Sequence, residues 1–176
     1  VSREALKTLR ERVRELRHLD ATIALLSWDE ETYLPGGARS ERGAQLATLE
    51  GLRHRLLCAD ALGDLVERIA LDAAGGSLVA EELDRLRRMR RIALALPDDL
   101  VRAFAEARSR SLAAWESARQ EGDFARFASP LAELVGLVRE RAQALSQSEE
   151  LYDALLDEYE PGMTRARLEP VLAAVE

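Results

Sequence analysis

Leu6, Leu9, Val13, Leu16, Leu19, Ile23 and Leu26 recur three or four residues apart. That spacing lays one apolar stripe along a single long helix, from Ser2 as its N-cap to about Thr32. Pro35-Gly36-Gly37 ends it. A second helix, capped by Ser40, carries Leu46, Leu49, Leu52, Leu56 and Leu57; a short third holds Leu62, Leu65, Val66 and Ile69. Gly75-Gly76 closes the third, and Ser77 caps a fourth that runs to about Leu94. Pro97 takes the first position of a fifth helix, where it has no N–H to lose. Asp98 and Asp99 then face the positive end of that helix dipole. Leu100, Phe104, Ala107, Ser111 and Trp115 share one face of this helix, which reaches about Gln120 and is broken by Gly122. Phe124 and Phe127 are expected to tuck into the core before Pro130 opens a sixth helix with Leu131, Leu134, Val135 and Val138. Ser146-Gln147-Ser148-Glu149 has capping-box spacing for a short seventh helix. Glu160-Pro161-Gly162 makes a turn, and Thr164 caps a final helix on which Leu168, Val171, Leu172 and Val175 share a face. No alternating strand pattern, low-complexity linker or internal repeat interrupts this series.

Composition supports the helical reading. Ala, Leu, Glu and Arg supply 105 of 176 residues, whereas Val, Ile and Thr supply 17. Strong helix formers thus swamp β-branched residues. The expected fold is all-α: one antiparallel, bundle-like domain over residues 1–176, with seven or eight helices and a long first one. A net charge of −7 argues against a general nucleic-acid binder. Cys58 is the one cysteine, so no intrachain disulfide is available. The longest uncharged stretches, 21–28 and 73–80, hold eight residues each. A membrane span needs about 18. The opening Val-Ser-Arg-Glu has no apolar signal core. These features set the expectation of a cytoplasmic protein without a membrane partner.

The residues alone reveal no active site. His18 and His54 are the two histidines. A zinc peptidase helix needs two imidazoles at i and i+4 with a glutamate beside the first, so that both nitrogens meet one ion and the carboxylate activates its water. That spacing is absent. Glu50, His54 and Cys58 share a helical face, but the third lies about 12 Å along the axis from the first. Arg53 and Arg55 flank the histidine and repel a cation. A surface ion pair and a buried thiol are the favoured reading of this face. Residues 85–91 hold five arginines in seven positions. Glu81 precedes Arg85 by four and Asp84 precedes Arg88 by four, the favourable order on a solvated or partner-facing helix. No aromatics interleave the run to stack bases. Asp29, Glu30 and Glu31 oppose the dipole at the C-terminal end of the first helix, at about 0.3–1 kcal/mol each when exposed. Either arginines opposite compensate them, which is favoured, or they serve a site. Asp153, Asp157 and Glu160 likewise call for a cationic neighbour. Ser109 and Ser111 have no histidine at a spacing that suggests a nucleophile.

A longer pattern goes further. It runs through Leu25-Leu26-Ser27-Trp28-Asp29-Glu30-Glu31-Thr32-Tyr33-Leu34-Pro35-Gly36-Gly37-Ala38, Arg42 and Gln45-Leu46-Ala47-Thr48-Leu49. It continues through Leu96-Pro97-Asp98-Asp99-Leu100-Val101, Trp115-Glu116-Ser117-Ala118-Arg119 and Asp123-Phe124-Ala125-Arg126-Phe127. It is sharpest at Tyr152-Asp153-Ala154-Leu155-Leu156-Asp157-Glu158-Tyr159-Glu160-Pro161-Gly162-Met163-Thr164. In order and spacing this series resembles the N-terminal region of the thermostable carboxypeptidase (carboxypeptidase Taq) family of metallopeptidases. The resemblance implies an all-helical fold with a deep substrate groove and a divalent metal, usually zinc. It also implies stepwise release of C-terminal amino acids from peptides, in cytoplasmic homodimers. Family members are about three domain-lengths long. Their His-Glu-x-x-His helix, third metal ligand and carboxylate-binding segments lie beyond the matched region. The resemblance therefore assigns no catalytic, cofactor-binding or metal residue to this chain. It implies the wall or cover of the groove, partnered by the missing C-terminal peptidase portion. The alternative is a stand-alone helical interaction module without peptidase activity that assembles with itself or with a peptidase-like partner.

Overall fold

The computed structural model describes residues 2–71, 77–146 and 150–175. Among these residues eight helices follow one another: α1 (Arg3–Thr32), α2 (Arg39–Cys58), α3 (Asp60–Ala70), α4 (Leu78–Ala95), α5 (Asp98–Glu121), α6 (Ala125–Leu145), α7 (Leu151–Tyr159) and α8 (Arg165–Ala173). A short 3-10 turn, Gly36–Ala38, joins α1 to α2. No strand occurs among the described residues, and no helix there is long and apolar enough to cross a membrane.

The apolar spacing read from the sequence builds the core. Leu9 and Leu16 of α1 meet Leu57 of α2, Leu62, Leu65, Val66 and Ile69 of α3, and Leu83, Leu86 and Ala93 of α4. Full burial of such a side chain contributes about 1.5–3 kcal/mol, enough to fix a helix as short as α3. A second seam joins α2 to α5 and α5 to α6, the most extensive pairings in the fold. Small residues allow the close approach of α2 to α5: Gly43, Ala47 and Gly51 are buried on α2, and Ala107, Ser109 and Ser111 on α5. By contrast, α7 and α8 contain no buried residue.

Helix ends match the sequence where a cap is local. Ser77 accepts from the Ala80 N–H and Thr164 from the Arg167 N–H, as expected. Gly122 sits at φ 66°, the left-handed conformation that stops α5. Several expected ends move. Ser2 occupies the N-cap of α1 without a side-chain capping bond. Ser40 lies inside α2, because the 3-10 turn runs straight into that helix and leaves no separate cap. Pro97 is the N-cap of α5 rather than its first residue: its carbonyl accepts the Val101 N–H, and Asp98 begins the helix. Pro130 lies inside α6, which starts five residues earlier at Ala125, where Asp123 caps the Ala125 N–H. The Pro130 carbonyl instead accepts the Ser111 hydroxyl at 3.1 Å, tying α5 to α6. Phe124, expected in the core, is 65% exposed and meets Phe127 edge-on at the surface. Glu150 caps α7 through the Tyr152 N–H, and Ser146 of the expected box ends α6. The remainder of that box, and Gly75-Gly76, lie outside the described residues.

Candidate functional site

A cleft of about 700 Å³ opens where six helices converge. Ile23, Ser27 and Glu30 of α1 and Glu50 and His54 of α2 line it. Ile92 and Leu96 at the end of α4, Phe104 of α5 and Val138 of α6 add apolar lining. Leu155, Glu158 and Tyr159 of α7 make its edge. A mostly apolar hollow with a few polar groups suits an organic ligand.

The acidic end of α1 is resolved residue by residue. Arg42 reaches Asp29 at 2.7 Å and donates to the Leu26 carbonyl at 2.7 Å. One guanidinium thus supplies both the cation and the hydrogen bond that the C-terminal end of a helix needs. Arg108 pairs with Glu31 at 3.3 Å. Arginines therefore compensate two of the three acids. Glu30 is different: it is 5% exposed and accepts the Ser109 hydroxyl in a buried hydrogen bond.

Other cleft charges are held in pairs. Arg53 of α2 binds Asp20 of α1, which places it with α1 rather than with Glu50 or His54. Arg141 of α6 binds Glu158 of α7 through both guanidinium and carboxylate edges. Glu50, His54 and Cys58 do share a face of α2, but the imidazole Nε2 lies 3.6 Å from the Cys58 sulfur instead of joining Glu50 about an ion. Burial pushes the Cys58 thiol above its ordinary range, although Arg90 draws it partly back. His18 is exposed on the outer side of α1, near Glu11 and Glu15. Among the described residues, no three His, Cys, Asp or Glu side chains come together as a metal cluster. The donors among the described residues do not fit the metal that the resemblance implies, and no reaction step is assigned to them.

Three arginines of the α4 run, Arg87, Arg88 and Arg90, bind neighbouring helices, whereas Arg85 and Arg91 are exposed. Arg87 embraces Glu67 of α3 with bonds of 2.9 and 2.6 Å. Arg90 donates to the Leu57 and Ala59 carbonyls at 2.6 and 2.7 Å, closing the α2–α3 corner. Arg88 pairs with Asp157 of α7 at 2.7 Å, not with Asp84, which sits 3.5 Å from Arg87. The cation required by Asp157 is therefore Arg88. No local pattern marks Arg108, Arg141 or Glu158, since each finds its partner only when separate helices pack.

Comparison with known proteins accounts for this architecture. The family profile described as carboxypeptidase Taq (M32) metallopeptidase matches residues 8–176. Thermostable carboxypeptidase 1 of Thermus thermophilus is 32% identical over 188 aligned positions, covering 98% of this chain and 36% of the relative. Thermostable carboxypeptidase 1 of Pyrococcus furiosus is also 32% identical, with 98% and 35% covered. The structure of Pyrococcus furiosus carboxypeptidase, apo-Mg, superposes with a TM-score of 0.78 at 29% identity, over 99% of this chain and 35% of that one. The BsuCP crystal structure shares the fold with a TM-score of 0.90 at 21% identity, over 97% of this chain and 35% of that one. This chain thus spans about a third of the length of the relatives it matches. It belongs to the carboxypeptidase Taq (M32) family of metallopeptidases.

Proposed function

We propose that this helical domain, residues 1–176, forms one wall and cover of the peptide groove of a metal-dependent carboxypeptidase and carries no catalytic group itself. The observation behind this reading is the cleft: an apolar, six-helix hollow with paired charges at its margins, in a chain equal to about 35% of related carboxypeptidases. In this role Leu96, Phe104 and Val138 give a peptide an apolar surface. The Arg53–Asp20 and Arg141–Glu158 pairs keep the margins neutral, so the groove imposes little preference for side-chain charge. Polarising the scissile carbonyl and activating water fall to residues outside this chain, with zinc or another divalent ion as the expected metal of the whole enzyme.

A second reading is supported by α8 and the turn that follows it. Val171, Leu172 and Val175 are 57, 58 and 83% exposed, an apolar strip that suits self-association as a helical module. Reading the gene beyond the codon for Glu176 separates the two. A downstream His-Glu-x-x-His supports the groove wall; an immediate stop codon supports the module.

A further inference from the structure

In the α7–α8 pair, α7 lines the cleft and α8 follows it, yet no side chain of either is fully buried; Leu151, Leu155 and Leu156 are half-buried. Its main packing neighbour in the rest of the fold is α6. Two consecutive carboxylates, Asp157 and Glu158, reach in opposite directions instead. Arg88 of α4 donates to the Asp157 carboxylate at 2.7 Å and to the Asp157 carbonyl. Arg141 of α6 holds Glu158 by its Nε at 3.0 Å and by its Nη2. Both arginine side chains are three-quarters buried. The second Asp157 oxygen accepts the Gly162 N–H at 2.7 Å, and Asp153 accepts the Arg165 N–H at 2.6 Å. These bonds staple α7, the turn and α8 into one unit.

An element with no fully buried side chain opens at a lower free energy than the core it rests on. Charge-assisted, partly buried hydrogen bonds are then what hold it in place. We propose that α7–α8 is a hinged lip of the cleft, kept shut by Arg88 and Arg141 as positioning residues. The use of such a lip, admitting a peptide, rests on the groove-wall reading; the motion itself does not.

Hydrogen exchange followed by mass spectrometry tests this on the chain as it stands. Arg88→Met and Arg141→Met should each speed exchange across 151–175 by about tenfold or more, with α2 and α5 unchanged. Raising salt from about 10 mM to 1 M shortens the screening length from about 30 to about 3 Å, so the wild type should accelerate while the variants respond less. Unchanged exchange in 151–175, a wild type indifferent to salt, or acceleration spread equally into α2 and α5 would overturn the proposal. Asp157→Asn keeps the side-chain shape and the backbone acceptor, and covers the case in which an arginine variant fails to fold. It should speed exchange in the same segment several-fold, and no change there counts against the lip. This readout needs no peptide, so its result is independent of whether the cleft binds one.

Discussion

Ser109 on α5 donates its hydroxyl to the Glu30 carboxylate on α1, inside the seam where α5 also crosses α2. A Cβ placed on Gly43 of α2 would lie 3.1 Å from that hydroxyl oxygen and 3.2 Å from the Ser109 Cβ. The three residues thus form one tightly packed polar junction. Ser109→Ala removes the donor from a buried carboxylate and should cost about 1–3 kcal/mol. Glu30→Gln retains an acceptor for the hydroxyl and should cost less.

Gly43→Ala sets two effects against each other. Alanine favours a helix by about 1 kcal/mol over glycine. Overpacking a fitted contact costs about 1–3 kcal/mol, and here the hydroxyl that must yield is already committed to Glu30. Urea denaturation should show a lower midpoint for the variant. An equal or higher midpoint would mean that α2 and α5 separate without loss.

The carboxyl of Asp157 is held below its ordinary range, first by the Gly162 N–H and then by Arg88. Its folded-state pKa lies below its unfolded one. The stabilisation it supplies is therefore complete above the ordinary aspartate pKa and is lost as pH falls through the folded value. Wild type should exceed Asp157→Asn in stability by a constant margin above about pH 5, and the margin should close in stronger acid. A margin that grows on acidification would reverse the assigned sign.

Cys58 gives a kinetic prediction. Its thiol is partly buried and its pKa is raised by that burial, so little thiolate forms near neutral pH. A colourimetric disulfide reagent should label the folded chain more slowly than a free cysteine, and denaturant should restore the ordinary rate. Rapid labelling of the folded chain would show that the α2–α3 corner opens readily.

Much of the fold was legible because helix signals are local. Leu62, Leu65, Val66 and Ile69 bury the face that their spacing indicates, and Ser77 and Thr164 cap with their own hydroxyls. The misplaced ends involve residues whose role depends on neighbours. Pro130 resembles a helix start but is carried inside α6, and Ser40 resembles a cap but follows a 3-10 turn that already leads into α2. The cleft was not legible. Its lining comes from six helices, and pairs such as Arg141–Glu158 and Ser109–Glu30 join positions with no shared local pattern. The resemblance to carboxypeptidases indicated that a groove should exist but not which residues line it.

The exposed strip of α8 makes the groove-wall and module readings measurable in solution. Light scattering over a concentration series should show self-association of the isolated chain through this strip. Leu172→Asp should weaken it, because the contact would then bury an unpaired charge. A 19.6 kDa monomer persisting at high concentration would exclude the strip as a self-contact.

On the groove-wall reading the chain shapes a peptide groove and leaves the hydrolytic chemistry to residues outside it. Incubating the purified chain with a peptide and added zinc, beside an intact carboxypeptidase of the same family, and quantifying free C-terminal amino acids tests this. No release by this chain above the metal-only blank is expected, while the intact enzyme releases residues stepwise. Stepwise release by this chain, abolished by a chelator and restored by zinc, would contradict it.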